Sequence, residues 1–382
     1  MKRWWNDFIL PASLVSGTII GARIFSLPFV FARVGIITSI LYVCVFCALF
    51  VVFHLMYGDI VLDHHQLHRF PGFARTYFGE AGYIASLFLV TLQTFFALTI
   101  YIILAPSFLA FVAPALSLVQ QVVIFWFCGS FVIFLSNKRI AFAEFIATAG
   151  IALVILLVGG YGIAPLFQKN LALWGTQAIF LLLPFGALLY AFNGTTAIPT
   201  VVHYFRERHQ HGTSARASII WGTIAPGLVF LVFVAGVLGL SGKITPDAVT
   251  GLVGTIPSWL LFGMGVLGFS SLWSSYFSIG RDLYESLVFD IKIGTMVSVF
   301  LVVCVPLLLF FVGFQNFIVL IEVVGGIFIG IEGIMIIAMW QKAKKHLLNQ
   351  KKFLPSLPRA VSWGMYAIFS VSICYVALTY IF

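Results

Sequence analysis

The chain has 382 residues, 62% of them hydrophobic and 9% charged, with a mean hydropathy of +1.10. An ordinary soluble domain carries about 25% charged residues, so a soluble fold is excluded. The net charge of +9 is not a nucleic-acid footprint, because its distribution follows membrane topology: with the N-terminus placed in the cytoplasm, all of the 21 Lys and Arg except Arg23, Arg33, Lys169 and Lys243 fall in the N-terminal tail or the loops after even-numbered spans. Lipid headgroups are the expected neighbours of that charge. Strand alternation with a polar lumen face is absent, which excludes a barrel.

A span needs roughly 20 mostly apolar residues. Eleven such stretches are expected, over 7–33, 36–60, 82–111, 118–136, 141–163, 177–203, 217–240, 253–280, 294–312, 316–340 and 361–381. The expected fold class is thus an all-α polytopic membrane protein, with the N-terminus inside and the C-terminus outside a prokaryotic inner membrane.

The first span contains SGTIIGARIFSLPF, residues 16–29, where Gly21 precedes Pro28 and a full charge, Arg23, lies at mid-depth. Cys44 and Cys47 in the second span read as small packing residues of a lipid-embedded helix. The following loop, DHHQLHRF at 63–70, has the spacing of a histidine box, but no second box follows it, and a solvated basic loop is the better reading. The sixth span contains LLYAFNGTTAIPTVV, residues 188–202, where Gly194 precedes Pro199. Spans one and six therefore share one defect, a Gly-containing polar break followed by a proline, which is tolerated in the first turn of a helix, where its missing N–H costs nothing. Each span reads as two half-helices.

The defects start five spans apart, so the second unit enters the membrane from the opposite side. That is an inverted repeat, with residues 6–163 and 176–341 as its two units and 360–382 as an added eleventh helix, all in one transporter domain. Paired breaks in corresponding positions mark a transporter binding site. Unwinding frees backbone groups that hydrocarbon cannot satisfy. N–H groups at the start of one half-helix suit a carboxylate, and carbonyls at the end of the other suit an ammonium group or cation.

SGTIIGARIFSLPFVFARVG at 16–35, ALLYAFNGTTAIPTVV at 187–202 and EVVGGIFIGIEGIMI at 322–336 resemble spans one, six and ten of amino acid permeases of the amino acid–polyamine–organocation superfamily. The nearest flavour is the bacterial tryptophan/tyrosine permease type. The resemblance implies a LeuT-type fold with broken helices 1 and 6. It also implies secondary active transport of an amino acid or related small organic solute, coupled to H+ or Na+ and with no other cofactor. Carried over residue by residue, Gly17, Thr18, Gly21 and Ala22 would cradle the substrate carboxylate, and Tyr190, Phe192, Asn193, Gly194 and Thr195 would line the opposite break. Ser274 and Ser275 of span eight would match a sodium-binding hydroxyl pair.

Two departures from that pattern stand out. Arg23 replaces a glycine, and the carboxylate often found near the sixth-span break is replaced by Thr195 and Thr196. Arg23 has four readings: a ligand for a substrate carboxylate, a gate paired with Glu322, a substitute for the coupling cation, or a side chain reaching a wet vestibule. Glu322 and Glu332 in span ten are candidates for gating and proton relay, since intramembrane carboxylates are functional candidates by default. No G-x-x-x-x-G-K motif is present, and no catalytic cluster marks an enzyme. An uncoupled exchanger, channel or sensor on the same fold is the alternative to coupled transport.

Overall fold

The computed structural model describes residues 4–64, 68–133, 137–168, 180–208, 212–346, 352–354 and 357–380. Among these residues, nine helices are long and apolar enough to cross a membrane, and ten when a pair bent by 46° is counted as one span. That pair is the first span. A π-turn at Trp5–Ile9 runs into α1 (Leu10–Ile19), and after the break a 3-10 turn at Ala22–Ser26 leads into α2 (Leu27–Val34). Pro11 and Pro28 each stand in the first turn of their half-helix, where a missing N–H removes no bond.

The second span is α3 (Ile36–Leu62), entered through Gly35 at φ +85°, a left-handed conformation that favours glycine. The third, α4 (Phe70–Val112), starts twelve residues before the expected 82. Its lead-in is a separate helical turn, broken at Gly79, where φ is +71°. Helix α5 (Leu118–Val132) is short for a span and starts in a capping box between Ser117 and Gln120. Helix α6 (Asn137–Gln168) overruns the expected 141–163 at both ends.

The sixth span is again divided, into α7 (Pro184–Phe192) and α8 (Ala197–Glu207), with Asn193–Thr196 unwound between them. Next come α9 (Gly212–Leu240), α10 (Ser258–Glu285) and α11 (Thr295–Val312). The eighth span is expected from 253 but begins only after Pro257, because Gly254 at φ +79° turns the chain first. The tenth span runs through α12 (Phe317–Glu322), a π-helical segment at Val323–Ile329 and α13 (Gly330–His346), and α14 (Arg359–Tyr380) is the eleventh.

Spans one, two, six and seven pack on one another, and the third span packs on the fourth, eighth and ninth. The fifth lies along the seventh and eighth, and the tenth touches the second, third, sixth and eleventh. Small residues set the closest crossing: a methyl group at Gly162 of α6 would fall on the backbone of Gly236 in α9.

At the end of the bundle that carries the N-terminus, Asp59 of α3 is fully buried. It accepts hydrogen bonds from Trp340 Nε1 of α13 (3.0 Å) and from the backbone N–H of Phe353 (2.7 Å). The Phe353 ring sits over Gly58, where a methyl group would be 2.8 Å from it. Nearby, Arg69 bonds Glu285 and Asp290, each at 3.1 Å, joining the start of α4 to the end of α10.

Candidate substrate site

The first-span break presents donors. Gly21 is extended, at φ −167° and ψ −154°. The N–H groups of Gly21, Ala22 and Arg23 have no acceptor among the described residues; hydrogen bonding resumes with Ile24 N–H to Gly21 O at 3.3 Å. A methyl group added at Gly17 or Gly21 would meet nothing within 4 Å, so this side of the break is open. Thr18 is exposed, its hydroxyl bonded to Val15 O at 2.8 Å, and Ala22 is buried.

The sixth-span break presents acceptors, and Arg23 reaches them. Its Nη1 donates to the carbonyl of Asn193 in a short bond and lies 3.4 Å from the carbonyl of Tyr190. These are free carbonyls at the C-terminal end of α7, the negative end of its dipole. The guanidinium carbon also sits 4.9 Å from the centre of the Tyr190 ring, a cation–π contact. Tyr190 is 2% exposed, and its buried hydroxyl lies beside the Arg23 guanidinium. Tyr101 of α4 brings a second buried hydroxyl beside Arg23 and Ser275. Ser274 is buried next to Ser275 on α10, which runs against Ala22–Ser26.

The far side of the same break is held by side chains. Asn193 Oδ1 accepts from the Thr195 N–H (3.1 Å) and lies 2.8 Å from the Thr195 hydroxyl. Glu332 of α13 approaches the same groups, its Oε1 3.0 Å from Thr195 Oγ1 and its Oε2 3.5 Å from Asn193 Nδ2. Gln93 of α4 adds an amide to this carboxylate. The carboxylate missing from the sixth span's own sequence is therefore supplied from the tenth. Gly194 donates its N–H to His54 Nε2 of α3 at 3.2 Å, and His54 Nδ1 meets Thr223 Oγ1 of α9 at 2.9 Å. Phe192 points into packing, stacked on Phe50 at 5.8 Å and edge-on to Phe230 at 5.2 Å.

The gate pairing of Arg23 with Glu322 is not formed. Glu322 Oε1 accepts the N–H of Ala187 at 3.2 Å, in the first turn of α7, and Oε2 has no partner among the described residues. Arg23 instead engages the last turn, about 9 Å further along at 1.5 Å per residue. Nor does a histidine box assemble: His64 and His68 face each other with ring centres 6.1 Å apart, and no metal-holding cluster occurs among the described residues; His65 lies outside them.

His54, Gln93 and Tyr101 were not singled out from the sequence. His54 had a signal, being a lone ionisable residue in the apolar run VVFHLMYG at 51–58. Gln93 and Tyr101 had none, since they meet the breaks only through the packing of α4.

The arrangement is a pair of facing helix breaks, open on the donor side and bridged by a charge. It agrees with what the chain resembles. Solved structures similar to it include MhsT in complex with L-phenylalanine, at 12% identity over 96% of this chain and 97% of that one, with a TM-score of 0.62. They also include the inward-facing conformation of Mhp1, at 17% identity over 97% of this chain and 89% of that one, with a TM-score of 0.67. Both are LeuT-fold transporters, and at this identity they establish the fold. No curated protein matches the chain. The model of the tryptophan/tyrosine permease family matches residues 5–356. With nearly the whole transporter core inside that match, the chain belongs to the tryptophan/tyrosine permease family and is a secondary active transporter rather than an enzyme.

Proposed function

We propose that this permease binds an amino acid or a related small carboxylate between the breaks of spans one and six, and that Glu332 carries the coupling proton. MhsT, similar in fold, holds L-phenylalanine. Spans one, two, six and seven would rock as a bundle against spans three, four, eight and nine, within two inverted repeats at 6–163 and 176–341 and with the N-terminus in the cytoplasm.

The observation that carries the proton assignment is the chain from Glu332 through Thr195 to Asn193. The Thr195 hydroxyl has one hydrogen and two oxygen neighbours. When Glu332 is ionised, the hydroxyl donates to Oε1. When Glu332 is protonated, it donates to Thr195, and Thr195 turns to donate to Asn193 Oδ1. A proton on Glu332 thus reorganises the residue whose backbone carbonyl holds Arg23. A sodium site between first-span carbonyls and the Ser274–Ser275 pair is the competing reading, supported by the contact of α10 with Ala22–Ser26.

The test is uptake of a labelled panel of amino acids and carboxylates into proteoliposomes under an imposed pH gradient or an imposed Na+ gradient. The expected result is accumulation driven by the pH gradient, with Glu332→Gln still exchanging substrate but no longer accumulating it. Accumulation driven by Na+ alone and retained in Glu332→Gln would overturn the assignment.

A further inference from the structure

We infer that Glu322 is a second proton-binding group of this carrier, outside the substrate site, whose charge decides whether the first half of span six is held against span ten. It is a positioning residue, acting on the site through α7. The inference rests on the proposed placement of the site between the two breaks, but not on which ion drives transport.

Glu322 lies at the end of the bundle away from the N-terminus, the outer end in the orientation proposed above. It stands ten residues before Glu332 in span ten, roughly 15 Å away at 1.5 Å per residue. It is fully buried, and its carboxyl group is set into the first turn of α7, which opens with Pro184. There the Phe185 N–H bonds Leu182 O at 3.1 Å. The next two N–H groups, of Gly186 and Ala187, both meet Glu322, with Ala187 N 3.2 Å from Oε1. Glycine at 186 makes the seat, because a methyl group there would fall on Glu322 Oε2. A carboxylate from one helix thus caps the N-terminal end of another, where the helix dipole favours a negative charge.

Among the described residues no charged side chain bonds Glu322. Arg23 is engaged at the far end of α7. Of the elements packed nearby, α7 brings Tyr190 and α4 brings Tyr101, both beside Arg23. The eleventh span brings Tyr375 and Tyr380, half-buried near the end of α14 and within electrostatic reach of Glu322. Phenols and guanidinium groups ordinarily titrate well above neutrality. Among these groups, Glu322 is therefore the one that changes charge between acid and neutral pH.

The consequence of a proton is geometric. An ionised carboxylate accepts from both N–H groups of the α7 turn. A protonated one sets an O–H among those donors and gives up the attraction of the helix dipole. The other end of α7 carries the Tyr190 and Asn193 carbonyls that hold Arg23. A proton taken up at the outer end thus frees the half-helix that forms one wall of the site. It enters and leaves on the same side, so it sets the rate of opening and is not itself carried.

The test uses full-length protein in proteoliposomes of uniform orientation. Exchange of labelled tryptophan, tyrosine and phenylalanine is followed at fixed internal pH while the external pH is stepped from about 8 to about 5. In the parent and in Glu332→Gln the initial rate should rise, by up to about tenfold per pH unit, the slope of a one-proton equilibrium. Glu322→Gln, neutral throughout, should exchange at the fast rate at every external pH and still accumulate substrate under an imposed pH gradient. Glu322→Asp, which withdraws the charge from α7 by one methylene, should be equally flat. A merely structural cap would lower the stability of both variants and leave the pH response in place.

A Glu322→Gln that keeps the parent's pH response overturns the inference, and so does a parent indifferent to external pH. If Glu322→Gln does not fold, Glu322→Asp decides on the same readout. Loss of the response in Glu332→Gln alone overturns the inference and leaves the Glu332 assignment standing. Accumulation driven by Na+ alone, with a flat and fast Glu322→Gln, overturns the Glu332 assignment and leaves the inference standing. A folded parent that exchanges none of the three amino acids removes the inference together with the placement of the site.

Discussion

His54 shows how a single buried side chain fixes the geometry of an unwound segment. Thr223 Oγ1 donates to Ile219 O at 2.9 Å, so it must accept from His54 Nδ1–H. That leaves Nε2 as the acceptor for Gly194 N–H. The tautomer is thereby set, and the imidazole is satisfied only when neutral. Replacing it with phenylalanine keeps the packing against Phe50 and Phe53 but strands the Gly194 N–H in an apolar setting. His54→Phe should therefore cost about 1–3 kcal/mol, the penalty for a buried unmet donor, read as a lower midpoint of unfolding in detergent. Glutamine, which can present an oxygen to Gly194, should recover part of the loss. No recovery with glutamine would mean that the ring's shape matters and its nitrogen does not.

At the scale of helices, the half-helix α7 is clasped by the π-helical part of span ten. Gly186 lies so close to Glu322 that a methyl group there would be 2.9 Å from its Cα, and a methyl group at Gly325 would strike the carbonyl of Gly186. The wide turn of the π segment and its glycines let two backbones touch. Gly186→Leu should separate them and cost about 1–3 kcal/mol or more by overpacking, and it should weaken ligand binding as well, since α7 carries the acceptor carbonyls at its other end. Unchanged ligand affinity in a destabilised Gly186→Leu would show that the two ends of α7 move independently.

This is also the scale at which the sequence was most informative. The divided first and sixth spans were legible because in each a Gly-containing polar break interrupts an apolar run and a proline follows it, Gly21 before Pro28 and Gly194 before Pro199. The start of the eighth span was missed because Val253–Ile256 is apolar enough to extend the hydropathy signal, while the turn at Gly254 depends on φ, which hydropathy does not encode. The arrival of Glu332 at Thr195 was missed for a different reason. It is a contact between residues 137 positions apart, and composition and spacing carry no record of such a meeting.

Over the whole molecule, the bundle of spans one, two, six and seven and its surroundings are tied at the N-terminal end by polar contacts rather than by apolar packing alone. Arg206 of α8 donates to the backbone of His64 at 2.6 Å and of Val61 at 3.2 Å, which binds spans two and six into one body. Asp59 then links that body to span ten and to the segment at 352–354. Asp59→Ala would leave Trp340 Nε1–H and the Phe353 N–H without acceptors, two penalties of about 1–3 kcal/mol each. Asp59→Asn, which keeps one carbonyl oxygen, should be the milder change. Unfolding midpoints of the two variants, with Phe353→Ala beside them, check this order, and equal midpoints for Asp59→Ala and the parent would refute the anchoring role.

The anchor also bears on how the chain is made. The partners of Asp59 lie 281 and 294 residues further along. At about 5–20 residues per second, a ribosome reaches them roughly 15–60 s after Asp59 itself has been synthesised. Throughout that interval the second span carries a carboxylate in its apolar run with neither of its final donors. The early helices can enter the bilayer in order but cannot close their end of the bundle until Trp340 and Phe353 have been made. Quality-control proteases would thus meet one chemical difference between a chain cut short before Trp340 and a complete one, an aspartate still waiting for its tryptophan.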